Sequence, residues 1–141
     1  MYGDTSAIRE QARRMRERAG DIRAEADALL HGADGVRWTG LAADAMRRAA
    51  REHVGWLRAC AGSHEDAAEA LERHAREVDR VKELIASIER RALGLVDSAS
   101  SGLAGLLGHV VPDALDRWVR DFDPPPHGSR EWLDVALPPL P

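Results

Sequence analysis

The sequence predicts an all-α fold, an antiparallel hairpin of two long helices, and three observations support this prediction. Apolar residues recur at alternating steps of four and three in two long segments, which places an apolar stripe along one side of each helix. Aromatic residues make up 4% of the chain and charged residues 31%, while much of the apolar content is alanine. That composition is typical of long helices. No segment shows the period of two expected of a half-buried strand.

The first helix is expected to begin after Asp4, Thr5 or Ser6, which are favourable N-cap residues, and to end near His31 and Gly32. Its stripe alternates large side chains with alanine, an arrangement that lets a second helix approach closely. The stripe consists of Ile8, Ala12, Met15, Ala19, Ile22, Ala26, Leu29 and Ala33.

The predicted turn spans residues 33–40 and contains the tripeptide Trp38-Thr39-Gly40. A short connection between two striped helices favours an antiparallel hairpin. An indole beside such a turn commonly closes the end of the helix pair, and a glycine there commonly satisfies the turn geometry. Both roles are compatible with a tip that also contacts a partner.

The second helix is expected to run from about Leu41 to about Val96. Gly62-Ser63 could begin a new helix with a capping box, but the apolar phase continues through it, so we predict one continuous helix. The stripe assigned to this helix consists of Leu57, Cys60, His64, Ala67, Leu71, His74, Val78, Val81, Ile85, Ile88, Ala92 and Leu95.

The two predicted helices differ in length, which leaves part of the second helix uncovered. At 1.5 Å per residue they span roughly 42 Å and roughly 84 Å, so the first covers the second only to about residue 70. The uncovered stripe is a candidate binding surface, here called the partner seam. It comprises Leu71, Val78, Val81, Ile85 and Ile88. Either the chain's own tail or a second protein chain could cover it.

The tail defines the predicted domain boundary, with a helical hairpin over residues 1–97 and a separate segment over 98–141. A flexible hinge is expected at 97–102, followed by a small apolar stretch over 103–111 and a short helix that starts at Pro112. The residues expected to pack from this helix are Leu115, Trp118, Val119 and Phe122. The proline-rich end, from 124 to 141, is expected to be extended or disordered, with Trp132 and Leu133 as anchors.

The sequence shows no pattern typical of an enzyme, and we expect neither a catalytic residue nor a cofactor. The glycines at 102, 105 and 108 follow a hinge rather than a strand, and no Lys-Ser or Lys-Thr pair follows them. Cys60 and His64 could form half of a tetrahedral zinc site. A small core cysteine beside seam histidines is the favoured interpretation, so no metal is expected, although such histidines could make the packing sensitive to pH.

Charge and hydropathy limit the classes of partner. The net charge of −4 disfavours nucleic-acid binding, despite an arginine-rich stretch in the first helix. No apolar run is long enough to cross a bilayer, so no stable membrane insertion is expected. The N-terminus lacks the basic head and apolar run of a secretory signal peptide. A protein made in the cytoplasm with these features would need another export route.

Residues 4–96 resemble the WXG proteins, the ESAT-six-like substrates of type VII secretion in actinobacteria and related Gram-positives. The resemblance rests on a helix of about thirty residues, a tight turn bearing Trp38-Thr39-Gly40, and a second amphipathic helix. It implies a hairpin that pairs with itself or with another WXG-like chain into a four-helix bundle. It also implies export without a signal peptide through an ATPase-driven machine, with Trp38 and Gly40 in the recognition patch.

The family's Tyr-x-x-x-Asp/Glu export signal has no counterpart after the second helix, because the only tyrosine is Tyr2. The chain could therefore be the member of a heterodimer that lacks the signal, or a targeting module associated with a larger effector such as a toxin. The alternative is a coiled-coil adaptor or scaffold that stays in the cytoplasm.

Overall fold

The computed structural model describes residues 4–101 and 113–138, and within these ranges every regular element is helical. Helix α1 spans Thr5–Gly35, helix α2 spans Leu41–Ser100 and helix α3 spans Asp113–Asp121. A short 3-10 helix covers Arg130–Asp134. The predicted all-α class, with two long helices and a short C-terminal helix, is confirmed. The expected apolar stretch 103–111, Gly102, Pro112 and residues 139–141 lie outside the described residues.

Helix α1 begins at the predicted N-cap and ends later than predicted. The Asp4 carboxylate accepts hydrogen bonds from the backbone N–H groups of Ser6, at 2.9 Å, and Ala7, at 3.4 Å. These bonds satisfy donors that have no partner within the first helical turn. The helix continues through Gly32 to Gly35, because Ala33 on the next turn is itself buried.

Helix α2 is continuous through Gly62, as the uninterrupted apolar phase predicted. It also continues through Ser100, so residues 97–100, expected to form a hinge, are helical. The hydroxyls of Ser98 and Ser100 each donate, at 2.8 Å, to the backbone carbonyl four residues earlier. Such bonds keep a serine compatible with a helix rather than with a bend.

The described residues form two compact units, one of residues 4–76 and one of residues 77–101 and 113–138, and α2 contributes to both. In the first unit the core is a row of buried alanines that recur every seven residues along each helix. Because an alanine methyl occupies little space, two helices that meet along such rows can pack closely. The row consists of Ala12, Ala19, Ala26 and Ala33 on α1 and of Ala61, Ala68 and Ala75 on α2.

The predicted phase of the α2 stripe was wrong by one residue at three positions. Cys60, Ala67 and His74 were assigned to the apolar stripe of α2 but are exposed, whereas the next residue in each case, an alanine, is fully buried. The physical reason is the close approach to the alanine row of α1. An alanine fits this contact, whereas a histidine or a cysteine would hold the helices apart.

Ion pairs between α1 and α2 establish that the helices run antiparallel. A later residue of α1 pairs with an earlier residue of α2, from Arg16–Glu72 at one end to Asp34–Arg51 at the other. These pairs fix the register of the two helices. In this register three buried alanines of α1 face buried alanines of α2, with Ala12 opposite Ala75, Ala19 opposite Ala68 and Ala26 opposite Ala61. These pairs include Arg16–Glu72, Arg23–Glu65, Asp27–Arg58 and Asp34–Arg51.

In the second unit the tail folds onto the C-terminal half of α2. Trp132 is 1% exposed and forms a core cluster with Ile85 and Ala92. Its indole N–H donates to the carbonyl of Pro126 at 3.0 Å, which satisfies the one polar atom of the buried ring. Within the described part of the proline-rich end, Ser129 and Val135 are extended, as expected, and the residues between them form the 3-10 helix. Trp132 and Leu133, the two expected anchors, both belong to the cluster on α2.

Candidate functional site

The tip of the hairpin exposes several apolar side chains close together in sequence. Trp38 is 52% exposed and Leu41, the first residue of α2, is 89% exposed, while Val36 is also exposed. Thr39 and Gly40 are exposed as well. The recognition turn predicted from the sequence thus lies on the surface, where a partner could contact it, and not beneath the helix ends.

Gly40 is required by the backbone conformation at the start of α2. Its φ is +107°, a value that side-chain-bearing residues rarely adopt. A Cβ at this position would have nothing within 4 Å, so conformation rather than crowding explains the glycine. Its carbonyl accepts the N–H of Asp44 at 3.0 Å, which forms the first turn of the helix.

Arg47 holds the loop that presents Trp38, and the sequence analysis missed this residue. Its Nη2 donates to the backbone carbonyls of Val36, at 2.9 Å, and Trp38, at 2.8 Å. These two charge-assisted bonds fix the backbone on either side of Arg37. The sequence carried no signal for this role, because Arg47 is the seventh residue of α2 and lies beyond the first turn, where the helix dipole disfavours a cation.

The two sides of the buried alanine rows have different character. Residues four positions after a buried alanine include Arg16, Arg23, Glu65 and Glu72, which form two of the ion pairs between the helices. Residues three positions after one lie on the other side and are apolar, apart from His53 and His64. We call this second side the apolar face; it comprises Ile8, Met15, Ile22, Leu29 and Val36 of α1 and Met46, His53, Leu57, His64 and Leu71 of α2.

The side of the ion pairs carries the electrostatic perturbations of the hairpin. The hydrogen bond from Arg23 lowers the pKa of the Glu65 carboxyl, opposed by partial desolvation. The bond from Arg16 lowers the pKa of Glu72 in the same way. Each guanidinium stabilises the charged form of its carboxylate. Because these charged groups already have partners within the hairpin, the apolar face is the side better suited to contact a further helix.

The apolar face is incompletely covered near the tip. A shallow groove of about 510 Å³ runs between α1 and α2, lined by Leu29, Gly32, Val36, Met46 and His53 among others. At its border the ring of Trp56, 67% exposed, packs edge-on against His53, with 5.2 Å between ring centroids. Sequence reasoning missed Trp56, although a tryptophan outside the predicted stripe of a helix was a usable signal.

Cys60 and His64 lie together without the geometry of a metal site. The Cys60 sulfur is 3.8 Å from His64 Nδ1, and the same nitrogen is 2.9 Å from the Cys60 carbonyl oxygen, within hydrogen-bond distance. Cys60 is exposed, so it is not the core cysteine that the sequence favoured. Across the ranges the structure describes, no group of three or more His, Cys, Asp or Glu is placed to hold a metal ion.

The partner seam and the tail-packing residues meet each other in the second unit. Val81, Ile85 and Ile88 pack with Trp118 and Phe122, two of the four side chains predicted to pack from the short helix. Leu115 and Val119 are half-buried. Of the two possible covers for the seam, the tail occupies this part of it. Val78 is also buried, and Leu71 lies on the apolar face of the other unit.

The tail is further fixed by a buried carboxylate. Glu89 is 8% exposed; its Oε1 is 2.6 Å from His127 Nδ1, and its Oε2 accepts from the Gly128 N–H at 3.4 Å. A buried carboxylate needs such partners to offset its lost hydration. Trp118 adds a bond from its indole N–H to the Ala136 carbonyl at 2.9 Å. None of these polar contacts was predicted from the sequence.

Comparison with known proteins agrees with this architecture. No helix within the described ranges is both long and apolar enough to span a membrane. Neither the search of curated proteins nor that of solved structures gives a match. A family model does match, over residues 1–87 of the 141, and its description is "putative T7SS secretion signal domain". The matched range contains α1, the exposed turn and most of α2, and the chain belongs to this type VII secretion signal family.

Proposed function

We propose that this protein acts by protein–protein binding, not catalysis, as a WXG-like substrate or co-secreted targeting partner of an effector in type VII secretion. The observation that carries the proposal is the exposed Trp38 at a hairpin tip whose backbone Arg47 and Gly40 hold in place. A large aromatic ring on a fixed backbone binds a partner with little loss of conformational entropy. Export without a signal peptide and recognition by the ATPase of the machine belong to the same proposal.

The partner surface, in this proposal, is the apolar face of the first unit. The seam residues Val81, Ile85 and Ile88 contact the tail, whereas Leu29 and Val36 on the apolar face remain exposed. Pairing with another WXG-like chain, the same or a different one, would cover these side chains and give a four-helix bundle. The missing Tyr-x-x-x-Asp/Glu signal would then be supplied by the partner or by an associated effector.

The test is export of a Trp38→Ala variant, with Leu84→Ala as the control. Both side chains are large, apolar and about half exposed, but Leu84 lies in α2 and belongs to neither the turn nor the apolar face. We expect Trp38→Ala to retain its helical circular dichroism and to be lost from culture medium, as measured by immunoblot beside a cytoplasmic marker. Leu84→Ala should still be recovered there.

Two results would count against the proposal. Normal export of Trp38→Ala would remove the recognition role of the turn. Confinement of the wild-type protein to the cells, with an intact secretion system present, would favour the cytoplasmic scaffold instead.

A further inference from the structure

We propose that the second unit binds an arginine side chain of a partner protein in a pocket at the C-terminal end of α3. The pocket, here called the α3 pocket, has a volume of about 400 Å³ and is lined by Trp118, Asp121, Phe122, Asp123, Val135 and Ala136. The proposal goes beyond the export function and does not depend on it, because every residue that lines the α3 pocket belongs to the second unit and not to the hairpin turn.

Two aromatic rings form much of the apolar lining of the α3 pocket. Trp118 lies in α3 and Phe122 directly follows its last residue; their rings stack with 4.5 Å between centroids and 19° between planes. Both residues are half-buried, so each remains partly accessible. The Trp118 indole N–H donates to the Ala136 carbonyl at 2.9 Å, which holds the ring and satisfies its one polar atom. The accessible part of the pair is therefore a fixed aromatic surface, and cations bind such surfaces.

The carboxylates of Asp121 and Asp123 give the α3 pocket a negative rim. Both side chains are exposed, and within residues 4–101 and 113–138 neither carboxylate forms a hydrogen bond or an ion pair. The neighbouring Arg120 pairs instead with Asp116, at 3.6 Å. Asp121 is also the last residue of α3, where the partial negative charge of the helix end opposes a carboxylate. A cation from another molecule would compensate the negative charge that the described chain leaves at this rim.

A guanidinium group matches both features of the α3 pocket. Its plane stacks on an aromatic ring, while its N–H groups donate to carboxylates in a fixed fork. The aliphatic stem of an arginine can pack on the apolar lining that Val135 and Ala136 add. A lysine ammonium is a compact, strongly hydrated charge, so it gains less from the rings. The negative rim repels the phosphates of nucleic acids and anionic lipids, which favours a protein as the source of the cation.

The test is a titration of the full-length, isotope-labelled protein with the capped tripeptide acetyl-Gly-Arg-Gly-amide, followed by nuclear magnetic resonance. The reporter is the indole N–H resonance of Trp118, identified by its loss in Trp118→Phe. We expect this resonance to shift with a Kd on the order of millimolar, because a single exposed cation contributes little affinity. The indole resonances of Trp38 and Trp56, which do not line the α3 pocket, should not move. The matching lysine peptide should bind on the order of threefold more weakly, and the neutral glutamine peptide should not bind.

Removal of the rim charges provides the matched comparison. Asp121→Asn combined with Asp123→Asn should weaken binding of the arginine peptide on the order of tenfold, since each exposed carboxylate contributes modestly. The control, Glu131→Gln combined with Asp134→Asn, removes two charges from the same unit but outside the α3 pocket and should leave the Kd within about twofold. All four side chains are exposed, so both variants should keep the wild-type circular dichroism.

Three results would overturn the proposal. The first is an unmoved Trp118 resonance at tens of millimolar arginine peptide, and the second is an equal shift with the glutamine peptide; either would show that the α3 pocket does not recognise a cation. The third is an equal loss of binding in the two double variants, which would show that the overall charge of the unit, and not the α3 pocket, attracts the peptide. The export assay of Trp38→Ala is independent of all three, because Trp38 does not line the α3 pocket.

Discussion

Replacing Trp132 by alanine tests whether the tail is held on α2 by a single buried ring. The side chain is 1% exposed and packs with Ile85 and Ala92. The centroid of its ring is 6.1 Å from that of the Phe122 ring. Burial of about 200 Å² of tryptophan surface at about 25 cal/mol per Å² corresponds to about 5 kcal/mol, an upper value. Buried tryptophan-to-alanine changes cost about 3–5 kcal/mol, so we expect a loss of this size in tail docking.

The assay is hydrogen exchange read by mass spectrometry on peptides from residues 113–138. When opening is faster than exchange, protection depends on the docking free energy. A loss of about 3 kcal/mol then corresponds to a decrease of roughly 150-fold in protection, at 1.4 kcal/mol per factor of ten. Exchange within residues 4–76 should not change, because the core of that unit contains no tail residue.

The matched control is Trp56→Ala, which removes the same side chain at an exposed position and should leave the tail protected. If Trp132→Ala left the exchange of residues 113–138 at the wild-type level, the tail would not depend on this ring. The assignment of Trp132 as its principal anchor would then be wrong.

Ala68→Leu should lower the free energy of unfolding by about 1–3 kcal/mol in a urea titration, because the larger side chain overfills the fully buried contact between α1 and α2. The control Ala67→Leu, at an exposed position, should change the free energy of unfolding by less than about 0.5 kcal/mol. Equal effects would contradict the observed helix phase. Since Arg23 lowers the pKa of Glu65, their pair should stabilise the fold above the ordinary carboxyl pKa and lose this effect as pH falls through the lowered value. Arg23→Gln should therefore lower the melting temperature at pH 7 but not at pH 2, and an equal decrease at both would refute the pairing.

The resemblance to WXG proteins and the family match agree on type VII secretion. The striped helix, the turn with Trp38 and Gly40, and the second striped helix, which carry the resemblance, begin within the matched range of residues 1–87.

The sequence by itself determined the helical class, the hairpin turn and the continuity of α2 through Gly62, because these depend on local preferences and on the period of the apolar residues. The same period could not choose between Ala67 and Ala68, since both are alanine and adjacent phases of an alanine-rich helix look alike. Packing against α1 decided it.

Whether the tail docks on α2 also depended on tertiary structure. A proline-rich segment has no periodicity to indicate a docked conformation, and the contacts that hold it are distant in sequence. Trp132 packs on Ile85, and His127 lies against Glu89, some forty residues away. The sequence alone could identify the apolar residues of α2 that needed to be covered, because removing apolar surface from water is favourable. Only the folded chain could show that its own tail supplies that cover, because the choice depends on shape and on buried polar partners.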